Sequence, residues 1–215
     1  MKVLGIDEAG RGPVIGPMII AGVIIEEGKE EMLGEVKDSK FLYHNKRIKL
    51  AKHLKENFKY KIIKVEPKEI DDALNSEDLN LNWLEAHKQA EIINELKPDK
   101  AIIDCPSINC KAYEKYLKKL IKNKNIEIIV EHKADIKYPI CSAASILAKV
   151  EREKQMGDIK RKYGATGSGY PADPTTKKFI KENWNKYPEI FRKTWSTYKK
   201  FAKAKNQTKL TGYEI

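Results

Sequence analysis

The sequence has few cysteines, no long apolar run and no internal repeat. The three cysteines, Cys105, Cys110 and Cys141, cannot all pair, and the first two lack the spacing of a zinc knuckle. We therefore expect free thiols in a reducing compartment. No apolar stretch reaches membrane-spanning length and the N-terminus lacks a secretory signal pattern, so we expect a cytoplasmic protein without membrane contact.

Acidic residues are fewer than basic ones, and the difference lies in the second half of the chain. The 215 residues include 42 Lys and Arg against 31 Asp and Glu, a net charge of +11. Residues 1–110 hold 17 basic and 20 acidic residues, whereas residues 111–215 hold 25 basic and 11 acidic residues. This asymmetry favours a polyanionic partner, although a solvated lysine-rich surface of the thermophilic kind explains the composition about equally well.

Short β-branched runs alternate with longer amphipathic stretches, the pattern of an α/β domain. Strands are predicted at residues 3–7, 18–26, 60–65, 101–104 and 126–131. Helices are predicted at residues 44–57, 79–96, 113–121, 142–163, 175–184 and 188–205.

A glycine- and proline-rich segment, residues 164–174, divides the sequence. We predict a main domain over residues 1–163, a junction loop and small helical segment over 164–206, and a tail over 207–215. The aromatic residues expected to form core contacts in the helical segment are Trp184, Phe191, Trp195 and Phe201.

Carboxylates occur at or shortly after the ends of three predicted strands. Asp7 and Glu8 end the first, Asp104 ends the fourth, and Asp135 follows the fifth. If these strands are neighbours in one sheet, the four acids converge on one cleft, where their mutual repulsion implies raised pKa values or bound divalent metals. Oxygen ligands favour Mg²⁺ or Mn²⁺, and two such ions about 4 Å apart would activate water at a phosphodiester. Taken singly, each aspartate is also a common turn former or helix cap.

The loop after the first strand carries an arginine between two glycines, Gly10-Arg11-Gly12. Glycine allows the main chain to approach a ligand closely, and arginine is suited to phosphate. The sequence therefore predicts a phosphate-binding element beside the acids.

Several motifs in order along the chain resemble ribonuclease HII, in its archaeal form. They are GIDEAGRGP at residues 5–13, DSK at 38–40, Asp104, KAD at 133–135, SAASILAKVER at 142–152 and GSGYP at 167–171. The resemblance runs from about residue 3 to beyond residue 195. It implies a ribonuclease H-like fold, a mixed five-stranded sheet flanked by helices with a small C-terminal helical segment. It also implies hydrolysis of the RNA strand of RNA–DNA hybrids and nicking 5′ of single ribonucleotides in duplex DNA.

The resemblance assigns roles to individual residues. Asp7, Glu8, Asp104 and Asp135 match the four metal-binding carboxylates of the family. Gly10, Arg11 and Gly12 match the loop that senses the ribose 2′-hydroxyl, and Tyr170 matches the tyrosine that stacks on the following sugar. By position, Lys40, Lys149 and Arg152 are further candidates for phosphate contacts, although exposed surface residues would look the same.

The last residues resemble the short motif that docks on sliding clamps. Gln207, Leu210 and Tyr213 have its spacing, whereas Glu214 stands where a second aromatic residue is usual. A frayed terminus is the alternative. The protein is expected to be a monomer.

Two other classes remain open at this stage. Residues 5–7 followed by glycine resemble the first phosphate loop of the actin and sugar-kinase phosphotransferases, but that fold needs a second domain and an adenosine site. A non-catalytic nucleic-acid module would explain the basic second half, but not the acids, which would repel phosphates.

Overall fold

The computed structural model describes residues 1–36 and 43–210, with side chains described up to residue 203. Its centre is a five-stranded sheet with strand order β3-β2-β1-β4-β5. Strands β1 and β2, and β2 and β3, are antiparallel, whereas β1, β4 and β5 run parallel. The predicted mixed five-stranded sheet is confirmed. The strands are β1 Lys2–Ala9, β2 Met18–Glu26, β3 Lys59–Val65, β4 Lys100–Asp104 and β5 Glu127–Glu131.

Helices cover both faces of the sheet, because the strands are apolar on both sides. The larger buried cluster joins one face to α2, α3 and α4, and a second cluster joins the other face to α1 and α6. None of the helices in the described ranges is long and apolar enough to cross a membrane. The helices are α1 His44–Asn57, α2 Pro67–Asn75, α3 Leu81–Leu96, α4 Cys110–Leu120, α5 Ala134–Lys137, α6 Pro139–Tyr163, α7 Pro174–Asn183 and α8 Ser196–Leu210.

Gly5 allows α6 to lie directly on the central strand. A Cβ at this position would stand 2.4 Å from the carbonyl carbon of Ile140 and 2.7 Å from the amide nitrogen of Cys141. Only glycine therefore fits between β1 and the first turn of α6. This close approach brings the start of α6 beside Asp7, two residues further along β1.

The prediction of one continuous helix over residues 188–205 is wrong. A 3₁₀ helix at Pro188–Ile190 and α8 are separate, and between them Phe191 forms a β-bridge with Ile15. The pairing partner lies more than 170 residues away, so local periodicity could not reveal this break. Sequence patterns also missed α2, and α6 begins earlier than predicted, at Pro139.

A third apolar cluster joins the C-terminal segment to the loop after β1. Val14 and Ile15 from that loop are buried with Phe179, Ile180 and Phe191. Trp184, Trp195 and Phe201 pack against the same cluster, as their predicted core role requires. The division of domains at residue 163 stays a prediction, and the three cysteines are free thiols as expected.

Candidate active site

Three carboxylates meet at the carboxyl ends of β1 and β4 and at the start of α5. Oxygen atoms of Asp7, Asp104 and Asp135 all lie within 4.8 Å of one another. The parallel register that pairs Ile6 with Ile103 puts Asp7 and Asp104 at the same edge of the sheet. Asp135 reaches them from the first turn of α5, and the amide of Ala134 donates to Asp104 Oδ1 over 3.2 Å. Three of the four acids that were predicted to converge therefore do so.

Burial dominates the electrostatics of this trio. Asp7 is only 6% exposed, and desolvation raises its pKa to about 7, with the nearby charge of Asp104 adding to the rise. The neighbouring Ser145 hydroxyl of α6 and a hydrogen bond from the Glu8 amide oppose the rise. A divalent cation would restore the ionised form by supplying the missing positive charge. The donor set, carboxylate oxygens alone, fits Mg²⁺ or Mn²⁺.

Glu8 lies beside the trio but outside it. Side chains alternate along a strand, so Glu8 leaves β1 on the face opposite to Asp7. Its Oε2 atom is buried and has no hydrogen-bond partner among the described residues. Burial, followed by the charges of Asp7 and Glu85, raises the pKa of Glu8 well above its usual value. The structure thus brings three of the four predicted acids together, and the fourth keeps an unsatisfied oxygen that a cation would satisfy.

The Gly10-Arg11-Gly12 loop is anchored by its carbonyl groups. Arg192, fully buried in the C-terminal segment, donates to the carbonyl oxygens of Gly10 at 2.6 Å and Arg11 at 2.8 Å. Trp195 Nε1 donates to the Gly12 carbonyl oxygen at 2.9 Å. In a trans peptide the N–H points opposite to the C=O, so the amides of Arg11 and Gly12 point away from Arg192. Gly10 has a φ of +84°, which favours glycine.

The Arg11 side chain is fixed on α3. Its Nε donates to Glu85 Oε1 over 2.8 Å, and its Nη2 donates to Asn82 Oδ1 over 2.6 Å. Glu85 is fully buried, and desolvation raises its pKa to about 7 although Arg11 opposes the rise. The Arg11 side chain remains 37% exposed, so the guanidinium is oriented without being covered.

A groove of about 690 Å³ runs from Glu8 past this loop to α6. Tyr170 lines it with its ring 3.7 Å from the position a Cβ on Gly12 would take, and the residue is 46% exposed. Lys149, half-buried on α6, also lines the groove. Their roles in substrate binding stay predictions. Lys40 lies outside the described residues.

Arg152 lines the same groove as Lys149 but is more deeply buried. It is 6% exposed, and its Nη1 donates to the Pro17 carbonyl oxygen over 2.6 Å. Its guanidinium carbon lies 6.0 Å from the centre of the Tyr170 ring. The turn of α6 that carries Arg152 faces the loop between β1 and β2, so this arginine holds that loop against α6. Its predicted phosphate contact stays a prediction.

Sequence patterns did not predict which residues hold the loop: Asn82, Glu85, Arg192 and Trp195, of which only Trp195 was expected to be buried, as a core contact. They come from α3 and the C-terminal segment and match no short motif. The one sequence feature that could have pointed to these residues is the position of Arg192, a charged residue directly after the apolar pair Ile190-Phe191. A buried arginine requires several acceptors, and here backbone carbonyls supply them.

Comparison with known proteins agrees with this site. The family model of Ribonuclease HII matches residues 4–198. A Ribonuclease HII from Methanosphaera stadtmanae is 42% identical over 206 residues, covering 94% of this chain and 96% of the relative. These matches decide against the phosphotransferase and the non-catalytic module.

Solved structures give the same result. The crystal structure of ribonuclease H2 from Pyrococcus horikoshii OT3 superposes with a TM-score of 0.86 at 43% identity, covering 95% of this chain and 98% of that one. The ribonuclease HII in the PCNA:RNase HII complex from Archaeoglobus fulgidus superposes with a TM-score of 0.82 at 38% identity, covering 91% and 96%. Sequence, fold and acid cluster therefore lead to one assignment: this chain belongs to the ribonuclease HII family and is a ribonuclease H.

Proposed function

We propose that the enzyme cuts the RNA strand of RNA–DNA hybrids and also nicks 5′ of a single ribonucleotide in duplex DNA, leaving 5′-phosphate and 3′-hydroxyl ends. The observation that carries this proposal is the adjacency of two elements at the carboxyl end of β1. Asp7, Asp104 and Asp135 form the acid trio, and the anchored Gly10-Arg11-Gly12 loop follows β1 directly. The acids would serve the cleavage and the loop would test for a ribose.

The three acids, with Glu8 beside them, would hold Mg²⁺ or Mn²⁺, two ions in the substrate complex. Bound there, the ions supply a nucleophilic water and stabilise charge on the leaving oxygen. The protein's own contribution is to hold the carboxylates close together at a buried strand edge.

Ribose selection would depend on the loop and Tyr170. The amides of Arg11 and Gly12 point away from Arg192, and main-chain groups of this kind can bond a 2′-hydroxyl, the group that distinguishes RNA from DNA. Arg11, fixed by Glu85 and Asn82, would bond an adjoining phosphate. The exposed ring of Tyr170 would stack on the sugar that follows.

A cleavage map on an end-labelled duplex with one embedded ribonucleotide tests this proposal. We expect a single nick 5′ of the ribonucleotide in Mg²⁺ or Mn²⁺ and none in chelator. Asp104→Asn should fold and lose at least a thousandfold in rate, a loss of about 4 kcal/mol of transition-state stabilisation. The same change at the exposed Asp78 is the control. Cleavage of an all-DNA duplex, or near-normal turnover by Asp104→Asn, would contradict the proposal.

We further propose that the tail binds a sliding clamp through Gln207, Leu210 and Tyr213. The support is the motif spacing together with the Archaeoglobus fulgidus relative, which forms a complex with PCNA. The side chains of Gln207 and Leu210 and the whole of Tyr213 lie outside the described part of the structure. Deletion of residues 207–215 should abolish binding to an archaeal clamp and leave cleavage of short duplexes intact. Tyr213→Ala should weaken clamp binding, Thr208→Ala should not, and equal binding by all variants would exclude the motif.

A further inference from the structure

Beside the catalytic acids lies a second cluster with a different donor chemistry. Ligand atoms of Cys105, Cys110 and His132 all lie within 4.8 Å of one another. The distance from Cys110 Sγ to His132 Nε2 is 3.3 Å. In the described ranges, only this cluster and the acid trio bring three candidate metal ligands so close together.

The sheet and a helix cap position these three side chains. Cys105 follows β4 and His132 follows β5, and the Cys105 amide donates to the Glu131 carbonyl oxygen over 3.0 Å. Cys110 is the first residue of α4, where the Asn109 side chain accepts from the Ala112 amide over 3.0 Å.

The spacing agrees with tetrahedral coordination. With metal–sulfur and metal–nitrogen bonds of about 2.3 and 2.0 Å, a sulfur and a nitrogen on one zinc ion stand about 3.5 Å apart. The observed 3.3 Å is close to this value. Cys105 is buried, Cys110 is half-buried and His132 is exposed, so the cluster is open to solvent on one side. A water can therefore complete the fourth position.

We propose that Cys105, Cys110 and His132 form a binding site for one thiophilic divalent cation, Zn²⁺, distinct from the Mg²⁺ or Mn²⁺ site. Two sulfur donors and an imidazole select zinc over the hard cations that carboxylates prefer. The site would tie the loop after β4 to the loop after β5. Asp104 ends β4 next to Cys105, and Asp135 lies in α5, three residues after His132. Zinc binding would therefore stabilise the segments that position two catalytic acids.

Titration of the reduced, metal-free protein with Co²⁺ and Zn²⁺ tests the proposal. We expect one equivalent of Co²⁺ to produce sulfur-to-cobalt charge-transfer absorption and the visible bands of tetrahedral Co²⁺. One equivalent of Zn²⁺ should then displace it and raise the thermal midpoint. Cys110→Ser and His132→Ala should weaken Zn²⁺ binding at least tenfold. His132 is exposed, so its replacement does not disturb packing.

Two further variants locate the ion. Asp7→Asn, in the acid trio, should keep the cobalt spectrum and the zinc affinity, and so should His87→Ala, which removes another exposed histidine. Loss of zinc binding in Asp7→Asn would place the ion at the acids and overturn the proposal. So would the absence of a sulfur-to-cobalt band, wild-type affinity in His132→Ala, or a Cys105–Cys110 disulfide that persists in mild reductant. The catalytic assignment would survive each of these outcomes, because it is tested separately by cleavage.

Discussion

At the scale of single residues, the site contains buried acids whose ionised forms are destabilised in the free protein. Bound cations or substrate would stabilise those ionised forms. Asp7, Glu8 and Glu85 are acids whose pKa values burial raises. Of these, only Glu85 has a cationic partner among the described salt bridges, the Arg11 guanidinium. Such an arrangement costs stability in the free protein, and it is typical of positions where a cation or substrate binds.

The first residue-scale prediction concerns pH. Folding raises the pKa of Asp7 from 3.8 to about 7, so between about pH 4 and 7 the folded protein holds a proton that the unfolded chain has released. The free energy of unfolding of the metal-free protein should therefore fall as pH rises through this window. Asp7→Asn should reduce that fall and be more stable than wild type at pH 8. Urea denaturation in chelator at pH 5 and pH 8 measures the effect, with Asp78→Asn as control.

Glu8 and Glu85 also have raised pKa values. The pH dependence of the free energy of unfolding should therefore be smaller in Asp7→Asn than in wild type, but still present. Mn²⁺ should stabilise wild type more at pH 8 than at pH 5, because the cation must displace the proton. Equal pH dependence in wild type and Asp7→Asn would show that Asp7 is ionised in the folded protein.

The second residue-scale prediction concerns the orientation of Arg11. Glu85→Gln keeps the size of the side chain but removes the charge that holds the Arg11 Nε. A hydrogen bond to a charged group contributes about 1.5–3 kcal/mol, so kcat/KM on the embedded ribonucleotide should fall about tenfold or more. Glu91→Gln, exposed on the same helix, is the control and should cleave at the normal rate. Unchanged kcat/KM in Glu85→Gln would mean that Arg11 does not need this anchor.

At the scale of elements, the packing of α6 on β1 connects fold stability with site geometry. A Cβ on Gly5 would overlap the backbone of Ile140, which cannot move aside as a flexible side chain could. Gly5→Ala should therefore push α6 away from β1 and cost about 1–3 kcal/mol of stability or more. It should also weaken Mn²⁺ binding, because α6 places the Ser145 hydroxyl beside Asp7.

Gly157 provides the matched control on α6. A Cβ there has only the end of the Arg161 side chain within 4 Å, at 3.6 Å, so Gly157→Ala should be neutral or stabilise by up to about 1 kcal/mol through helix propensity. Urea midpoints of the two variants give the comparison. Equal midpoints would show that the contact between β1 and α6 is looser than its geometry indicates.

Elements with strong local patterns could be predicted from the sequence, and elements fixed by distant contacts could not. The five strands follow from β-branched runs, and their shared edge follows from the acids at their ends. The break at Phe191 depends on its bridge to Ile15, and the position of Arg192 depends on carbonyls more than 170 residues away. The meeting of Cys105 with His132 likewise needs the β4–β5 register, which no local pattern encodes.

At the scale of the whole molecule, both halves of the chain contribute residues to the site, and they differ in charge. The acidic trio comes from strand ends and one short helix, whereas the excess of basic residues lies in residues 111–215. Arg192 and Trp195 from the second half anchor the loop of the first half. The C-terminal segment therefore belongs to the site and is more than an appendage to the sheet.

This charge distribution predicts salt-dependent binding in which Lys149 takes part. Each phosphate neutralised by a basic residue contributes about one unit to the slope of log affinity against log salt. With Ca²⁺ in place of the catalytic ion, Lys149→Ala should weaken duplex binding equally with and without a ribonucleotide and lower the slope by about one. Lys122→Ala, exposed between α4 and β5, should match wild type. If Lys149→Ala kept the wild-type slope, Lys149 would not contact phosphate, and the groove wall on α6 would act through shape alone.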